Sequence, residues 1–223
     1  MNVFMVYAHE DSASFSAAMH NRALSFFEKA GHAVTVSDLY GIGFHAVAEK
    51  WDFKVSGGLH QNYALEQKRA AGSETGFAED IKSEIAKLRA CDLVVFIFPL
   101  WWSAPPAILK GWFDKVFAMG IVWDGNHRYG TGLLHGKKAL ILTESNDDAS
   151  SYTDQGIHGA SIEQHLYPLL HSTLAHAGLD VLKPFNATGL LLAEDDERQK
   201  ILSELDSYLD NFSTNPEFIY KHS

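Results

Sequence analysis

Along the chain, short runs of unbroken hydrophobic residues alternate with longer stretches whose apolar positions recur at helical spacing. Asn2 to Ala8 is apolar without alternation, which predicts a strand buried on both faces. The polar turn HEDSAS follows. Phe15 to Lys29 then carries Phe15, Ala18, Met19, Arg22 and Phe26 at helical spacing, with Gly31 as a C-terminal cap. HAVTVSDLY supplies a second strand. Gly41 to Gly76 has no clear period and reads as a long excursion containing some helix. Ala78 to Arg89 predicts a helix that turns Ile81, Ile85 and Leu88 inward, and CDLVVFIFPL is the third and most apolar strand. Pro106 suits the first position of the next helix, which runs to about Phe117 with Ile108, Leu109, Trp112, Phe113 and Val116 inward. Beyond a loop with several glycines come a fourth strand, KKALILTES, and a helix from Ile162 to Ala177 despite Pro168. LDVLKPF is the fifth strand, and Glu194 to Phe212 the last helix.

Strand and helix alternate five times, the pattern of a parallel sheet covered by helices on both faces. The expected fold is a single α/β domain over residues 1–223: a three-layer sandwich around a five-stranded parallel sheet in the flavodoxin-like order 2-1-3-4-5. Such sheets bind ligands beyond the carboxyl ends of their strands, at the switch point. The loops there are AHEDSASF after strand one, PLWWSAP after strand three and TESNDDASSY after strand four.

Composition narrows the function. The formal net charge is -10 and the 18 basic residues are scattered, which argues against a nucleic-acid surface. Cys91 is the only cysteine, so no intrachain disulfide forms, in keeping with a reducing, cytoplasmic setting; the thiol is expected to be an inert core group. MNVFMVYAHEDS turns polar too soon for a signal peptide, and no apolar run approaches a membrane span, so an integral membrane protein is not expected. Among twelve histidines there is no HExxH, and His171 and His176 are poorly spaced for one ion, so no metal is expected. GxGxxG after strand one, a P-loop and a GxSxG elbow are all missing, which weighs against a Rossmann nucleotide site, a P-loop kinase and a hydrolase.

Each of the three loops has a bland and a chemical reading. His9, Ser12, Ser14 and Ser16 at a helix mouth suit either ordinary N-capping or a phosphate. Trp101 and Trp102 suit either packing or the wall of an aromatic ligand. Tyr152 and His158 suit either a capped loop or a pair of donors facing a developing anion.

FPLWWSAPPAILKGWFDKVF resembles a run found in the NAD(P)H:quinone oxidoreductases, P-L-x-W-x-x-x-P-A-x-L-K-G-W-x-x-x-V-F. AHEDSASFS, VSDLY and YTDQGIHG resemble that family's first loop, second strand and Y-x-x-Q-G-I-H-G element, in the same order. The resemblance runs from Asn2 to about Leu209. It implies a flavodoxin-like homodimer that holds FAD and carries a hydride from NADH or NADPH to quinones or related electrophiles in ping-pong fashion. It places His9, Phe15, Ser16 and Ala18 on the pyrophosphate and ribityl side of the cofactor. Pro99, Leu100, Trp102, Ser103, Glu144, Ser145 and Asn146 would lie around the ring, and Arg198 and Leu202 of ERQKIL near the adenylate. Tyr152 and His158 match the catalytic pair, with Tyr152 also touching the cofactor. Trp102, Trp123 and His176 would line the substrate slot, with Trp101 packing.

Departures from the family pattern qualify this. Asn146 and Asp147 stand where paired glycines are usual, and an aspartate near a ring that becomes anionic is electrostatically odd. Ser103 and Gly125 replace aromatics, and the C-terminal extension of eukaryotic members is missing, which would leave the slot more open. Two alternatives stand beside the FAD enzyme. One is a flavin-binding regulatory subunit of a membrane ion-efflux system. The other is an FMN-dependent azo- or nitroreductase.

Overall fold

A computed structural model of the chain describes residues 1–54 and 62–222. Part of the irregular excursion, 55–61, lies outside the described residues. The first half runs β1 (Asn2–Tyr7), α1 (Phe15–Lys29), β2 (Ala33–Asp38), α2 (Tyr63–Ala71), α3 (Glu79–Ala90), β3 (Leu93–Pro99) and α4 (Ala107–Val116). The second half has β4 (Lys138–Glu144), the short α5 (Ile162–His165) and α6 (Tyr167–Leu169), β5 (Asp180–Leu182), β6 (Phe185–Ala187), α7 (Asp195–Thr214) and β7 (Phe218–Tyr220). The sheet order is β2-β1-β3-β4-β5-β7, with β6 also paired to β4, and every pairing but β5–β7 is parallel. This is the expected 2-1-3-4-5 order with one antiparallel strand added at the edge.

The strand residues sort by parity. Val3, Met5 and Tyr7 of β1 and Leu93, Val95 and Ile97 of β3 pack under α1 and α7. Phe4, Val6, Val94, Phe96 and Phe98 face the α3 and α4 side. All seven residues of β3 are buried, which is why it reads as the most apolar run.

Three segments differ from expectation. LDVLKPF is two short strands, because Pro184 has no N–H to continue the ladder. The helix over Ile162–Ala177 is broken: α5 and α6 lead into a π-helical turn at Leu170–Ala175, since Pro168 cannot donate to the preceding turn. Of the positions expected at helical spacing on α1, Phe15 and Met19 are buried, while Ala18, Arg22 and Phe26 are half-buried and Ala23 and Phe27 complete the buried face.

Buried charge ties the excursion to the core. Lys115 Nζ lies 2.9 Å from Asp52 Oδ1 and donates to the His45 carbonyl at 2.7 Å. Asp52 Oδ2 accepts from the Tyr63 hydroxyl at 2.6 Å and from the Glu49 N–H at 2.9 Å. Gly111, within the LKGW of the sequence signature, makes room for this approach: a Cβ there would sit 2.0 Å from the Ala46 carbonyl oxygen. A second network, Glu84 with Ser37, Lys87 and Trp112 Nε1, joins β2, α3 and α4. Cys91 is buried and burial pushes its thiol up to about 11, so it stays protonated at neutral pH.

Candidate active site

The loop after β1 caps α1. Ser14 accepts from the Ala17 N–H at 3.1 Å, and Asp11 braces the turn by accepting from the Ala13 N–H at 2.8 Å. His9 Nδ1 accepts from the Asp11 N–H at 3.0 Å, which leaves Nε2 as the proton-bearing nitrogen of the neutral ring. Ser16 does not wait for a ligand: its hydroxyl and its N–H both donate to Glu144 Oε1, at 2.6 and 3.2 Å. Glu144 is therefore turned onto the first turn of α1, where its charge complements the helix dipole.

The loop after β3 is a tight hairpin. Trp101 and Ala104 exchange two backbone hydrogen bonds of 3.0 Å, and the central residues Trp102 and Ser103 have φ of 51° and 58°. Positive φ at both central positions defines a type I′ turn, which normally takes Asn or Gly. The turn projects Trp102 outward, 100% exposed, while Trp101 stands edge-on to His9 at 6.0 Å. Within the chain, then, Trp101 meets His9 of the loop after β1, and Trp102 stands clear of the fold. Pro99 is buried at the end of β3, and the Leu100 N–H donates to the Glu144 carbonyl at 2.8 Å.

The loop after β4 is held from behind. The carbonyls of Asp147, Ser145 and Asn146 accept from the N–H groups of Gly189, Leu190 and Leu191 at 2.9, 3.3 and 3.4 Å. Among the described residues, the N–H groups of Asn146 and Asp147 make no hydrogen bond. Neither residue has positive φ, so the departure from paired glycines carries no backbone strain. Further along, Tyr152 stacks on His158, with centroids 4.6 Å apart and planes 24° from parallel. His158 Nε2 bonds Asp147 Oδ2 at 3.0 Å, a partner that sequence reasoning missed. The Asp147 carboxylate is thus committed to the histidine.

The remaining expected residues divide. Phe15 and Leu202 are core residues between the sheet and α7, and Ala18 is half-buried on α1. Arg198 donates to the carbonyls of Ala193 and Leu190 at 3.0 and 3.1 Å, with its guanidinium 6.0 Å from the Phe15 ring centre. It has a structural task, so its presence alone does not demand an adenylate. Trp123 and His176 meet edge-to-face at 5.6 Å and line a cavity of about 460 Å³ beside α4 and the π-helical turn. Tyr152 lines a different one, about 240 Å³, with Ser161, Glu163, Asn186 and Thr188. No group of three or more potential metal ligands occurs among the described residues.

The N–H groups after β4 and the Tyr152 hydroxyl, for which no partner occurs among the described residues, are donors of the kind the polar edge of a flavin ring accepts, and His9 Nε2 is one of the kind a pyrophosphate accepts. The committed Ser16 fits a phosphate less well, since Glu144 already occupies its donors.

Residues 1–211 match the model of a family described by its flavodoxin-like fold. The human ribosyldihydronicotinamide dehydrogenase [quinone] is 38% identical over 205 residues, covering 90% of this chain and 87% of that protein. NAD(P)H dehydrogenase [quinone] 1 of Cavia porcellus is 33% identical over 210 residues, covering 93% of this chain and 75% of its own. A crystal structure from Klebsiella pneumoniae, described as a quinone reductase, superposes with a TM-score of 0.92 at 33% identity, covering 98% of this chain and 87% of that one. The chain belongs to the flavodoxin-like family of NAD(P)H:quinone dehydrogenases.

Proposed function

We propose that this chain is a flavin-dependent oxidoreductase that uses NADH or NADPH to reduce quinones or related electrophiles. The observation that carries the reading is the set of donors on the loop after β4 that make no hydrogen bond among the described residues: the Tyr152 hydroxyl and the N–H groups of Asn146 and Asp147. The names of the relatives support the substrate class. A bound flavin would supply the redox chemistry, taking a hydride from the nicotinamide and giving it to the acceptor in a separate half-reaction.

The chain's own residues do the rest. Donors placed where negative charge grows lower the barrier, and in a crevice shielded from water they act strongly. Tyr152 holds a proton towards that charge, and His158 keeps the phenol ring in place by stacking on it. The N–H groups of Asn146 and Asp147 add fixed dipoles from a braced loop. His9 offers Nε2–H beside Trp101. FAD is the cofactor we favour: Arg198 commits two of its five N–H donors to backbone carbonyls, leaving others for an adenylate. We also infer a homodimer. Trp123 and His176 line a cavity that does not include Tyr152, which supports a site that a second copy completes.

Mass spectrometry of the cofactor released from purified protein is expected to identify it as FAD; FMN would contradict that assignment. Tyr152→Phe is expected to slow flavin reduction by about 10- to 100-fold with flavin still bound. A protein that takes up no flavin, or an undiminished rate in Tyr152→Phe, contradicts the reading.

A further inference from the structure

We propose that Asp147 is a positioning residue that fixes the tautomer and orientation of His158 and, through it, the placement of Tyr152; the claim rests on the proposed function for its catalytic consequence only. The acceptor contact is direct, with Asp147 Oδ2 3.0 Å from His158 Nε2. A carboxylate oxygen at that distance requires a proton on Nε2, so the neutral imidazole is the Nε2–H tautomer and Nδ1 carries the lone pair. Which nitrogen faces outward is thereby decided by a residue that sits where the family usually has glycine.

Both ends of this bond are anchored. The Asp147 carbonyl accepts from the Gly189 N–H at 2.9 Å, and the Asp148 carbonyl from the Ser151 N–H at 2.9 Å. On the other side, the His158 N–H donates to the Ser151 carbonyl at 3.1 Å, and the Tyr152 N–H to the Ala149 carbonyl at 3.2 Å. Asp147, Tyr152 and His158 are thus fixed within one loop. His165 stands edge-on to both stacked rings, 5.8 Å from Tyr152 and 5.7 Å from His158, and confines the pair from a third direction. With the rings confined, rotation of the imidazole is the freedom that remains, and the Asp147 contact removes it. An ordinary half-exposed ion pair contributes little to stability. A pair that selects a tautomer acts on the rate instead, by keeping the neighbouring phenol in its working position.

The test has two arms. Nitrogen-15 shifts of the His158 ring in the flavin-free protein report the tautomer directly. Nε2–H is expected in the parent and a mixture of tautomers in Asp147→Ala. In the flavin-loaded protein, Asp147→Ala is expected to slow flavin reduction by about 10-fold while flavin affinity stays within about 2-fold. Asp147→Asn, whose amide oxygen still accepts, should restore most of the rate. The double variant Asp147→Ala with His158→Ala should be no slower than His158→Ala alone, because the aspartate acts only through the histidine. Should Asp147→Ala fail to fold, Asp147→Gly replaces it. An unchanged His158 tautomer in the variant, or losses that multiply in the double variant, overturns the proposal. A parent protein that reduces no flavin defeats the proposed function, while the tautomer arm still decides the role of Asp147.

Discussion

Glu144 and Ser16, 128 residues apart, are joined by two hydrogen bonds to one carboxylate oxygen, at 2.6 and 3.2 Å. The contact locks the end of β4 to the first turn of α1 and fixes the spacing between the loops that follow β1 and β4. Both bonds go to a carboxylate and one comes from a helix N-terminus, so they are stronger than neutral ones. Glu144→Ala is expected to lower unfolding free energy by about 2–3 kcal/mol, and Glu144→Gln by about 1 kcal/mol. Urea denaturation measures both; equal losses would mean the charge is irrelevant.

Trp102 and Ser103 hold left-handed backbone conformations that suit Asn and Gly better. Replacing the pair by Asn-Gly should stabilise the fold by about 1–2 kcal/mol. If the exposed indole is kept for the flavin and its substrate, the same change should weaken flavin binding or quinone turnover at least several-fold. Greater stability with full activity would remove Trp102 from the proposed site.

Lys115 and Asp52 are both buried; they pair with each other, with backbone groups of His45 and Glu49, and, for Asp52, with the Tyr63 hydroxyl. Removing one charge leaves the other unpaired. Lys115→Met should cost about 3–5 kcal/mol, whereas Lys115→Met with Asp52→Leu should recover part of that loss. Gly111→Ala, which drives a Cβ into the Ala46 carbonyl, should cost about 1–3 kcal/mol by overpacking. Thermal unfolding with matched denaturant curves checks all three.

Two histidines make stability depend on pH. Burial lowers His20 below its ordinary 6.5, and among the described residues its buried Nε2 has no partner. His176 is lowered by burial and then by the charges of Arg128 and His171. With the folded value depressed, the unfolded chain takes up protons first as pH falls. The stability these groups allow is complete above 6.5 and declines as pH drops towards their folded values. His20→Leu should flatten the slope of unfolding free energy below pH 6.5; an unchanged slope would exclude His20 as a source.

The central strands were legible because burial on both faces leaves unbroken apolar runs in β1, β3 and β4. Three strand-end loops were also legible as unusual, since indoles and clustered serines are out of place in ordinary turns. Prolines were underweighted: Pro168 and Pro184 break the elements drawn through them. On α1 the sequence did not separate Phe26 from Phe27, because both are apolar; packing in the core, against Phe212 among others, buries Phe27. β7 is a three-residue edge strand, too short for a period to show. Within the site, the types of residue were readable but their pairings were not. That Glu144 turns to Ser16 and Asp147 to His158 depends on how loops from distant segments meet.

The most direct test of the central claim is to add NADH or NADPH without oxygen to the flavin-loaded protein and follow the visible flavin absorption. The account predicts rapid bleaching, restored in full when a quinone is added, with Tyr152→Phe slow in the first phase. Persistent colour in the presence of excess NADH and NADPH would contradict it.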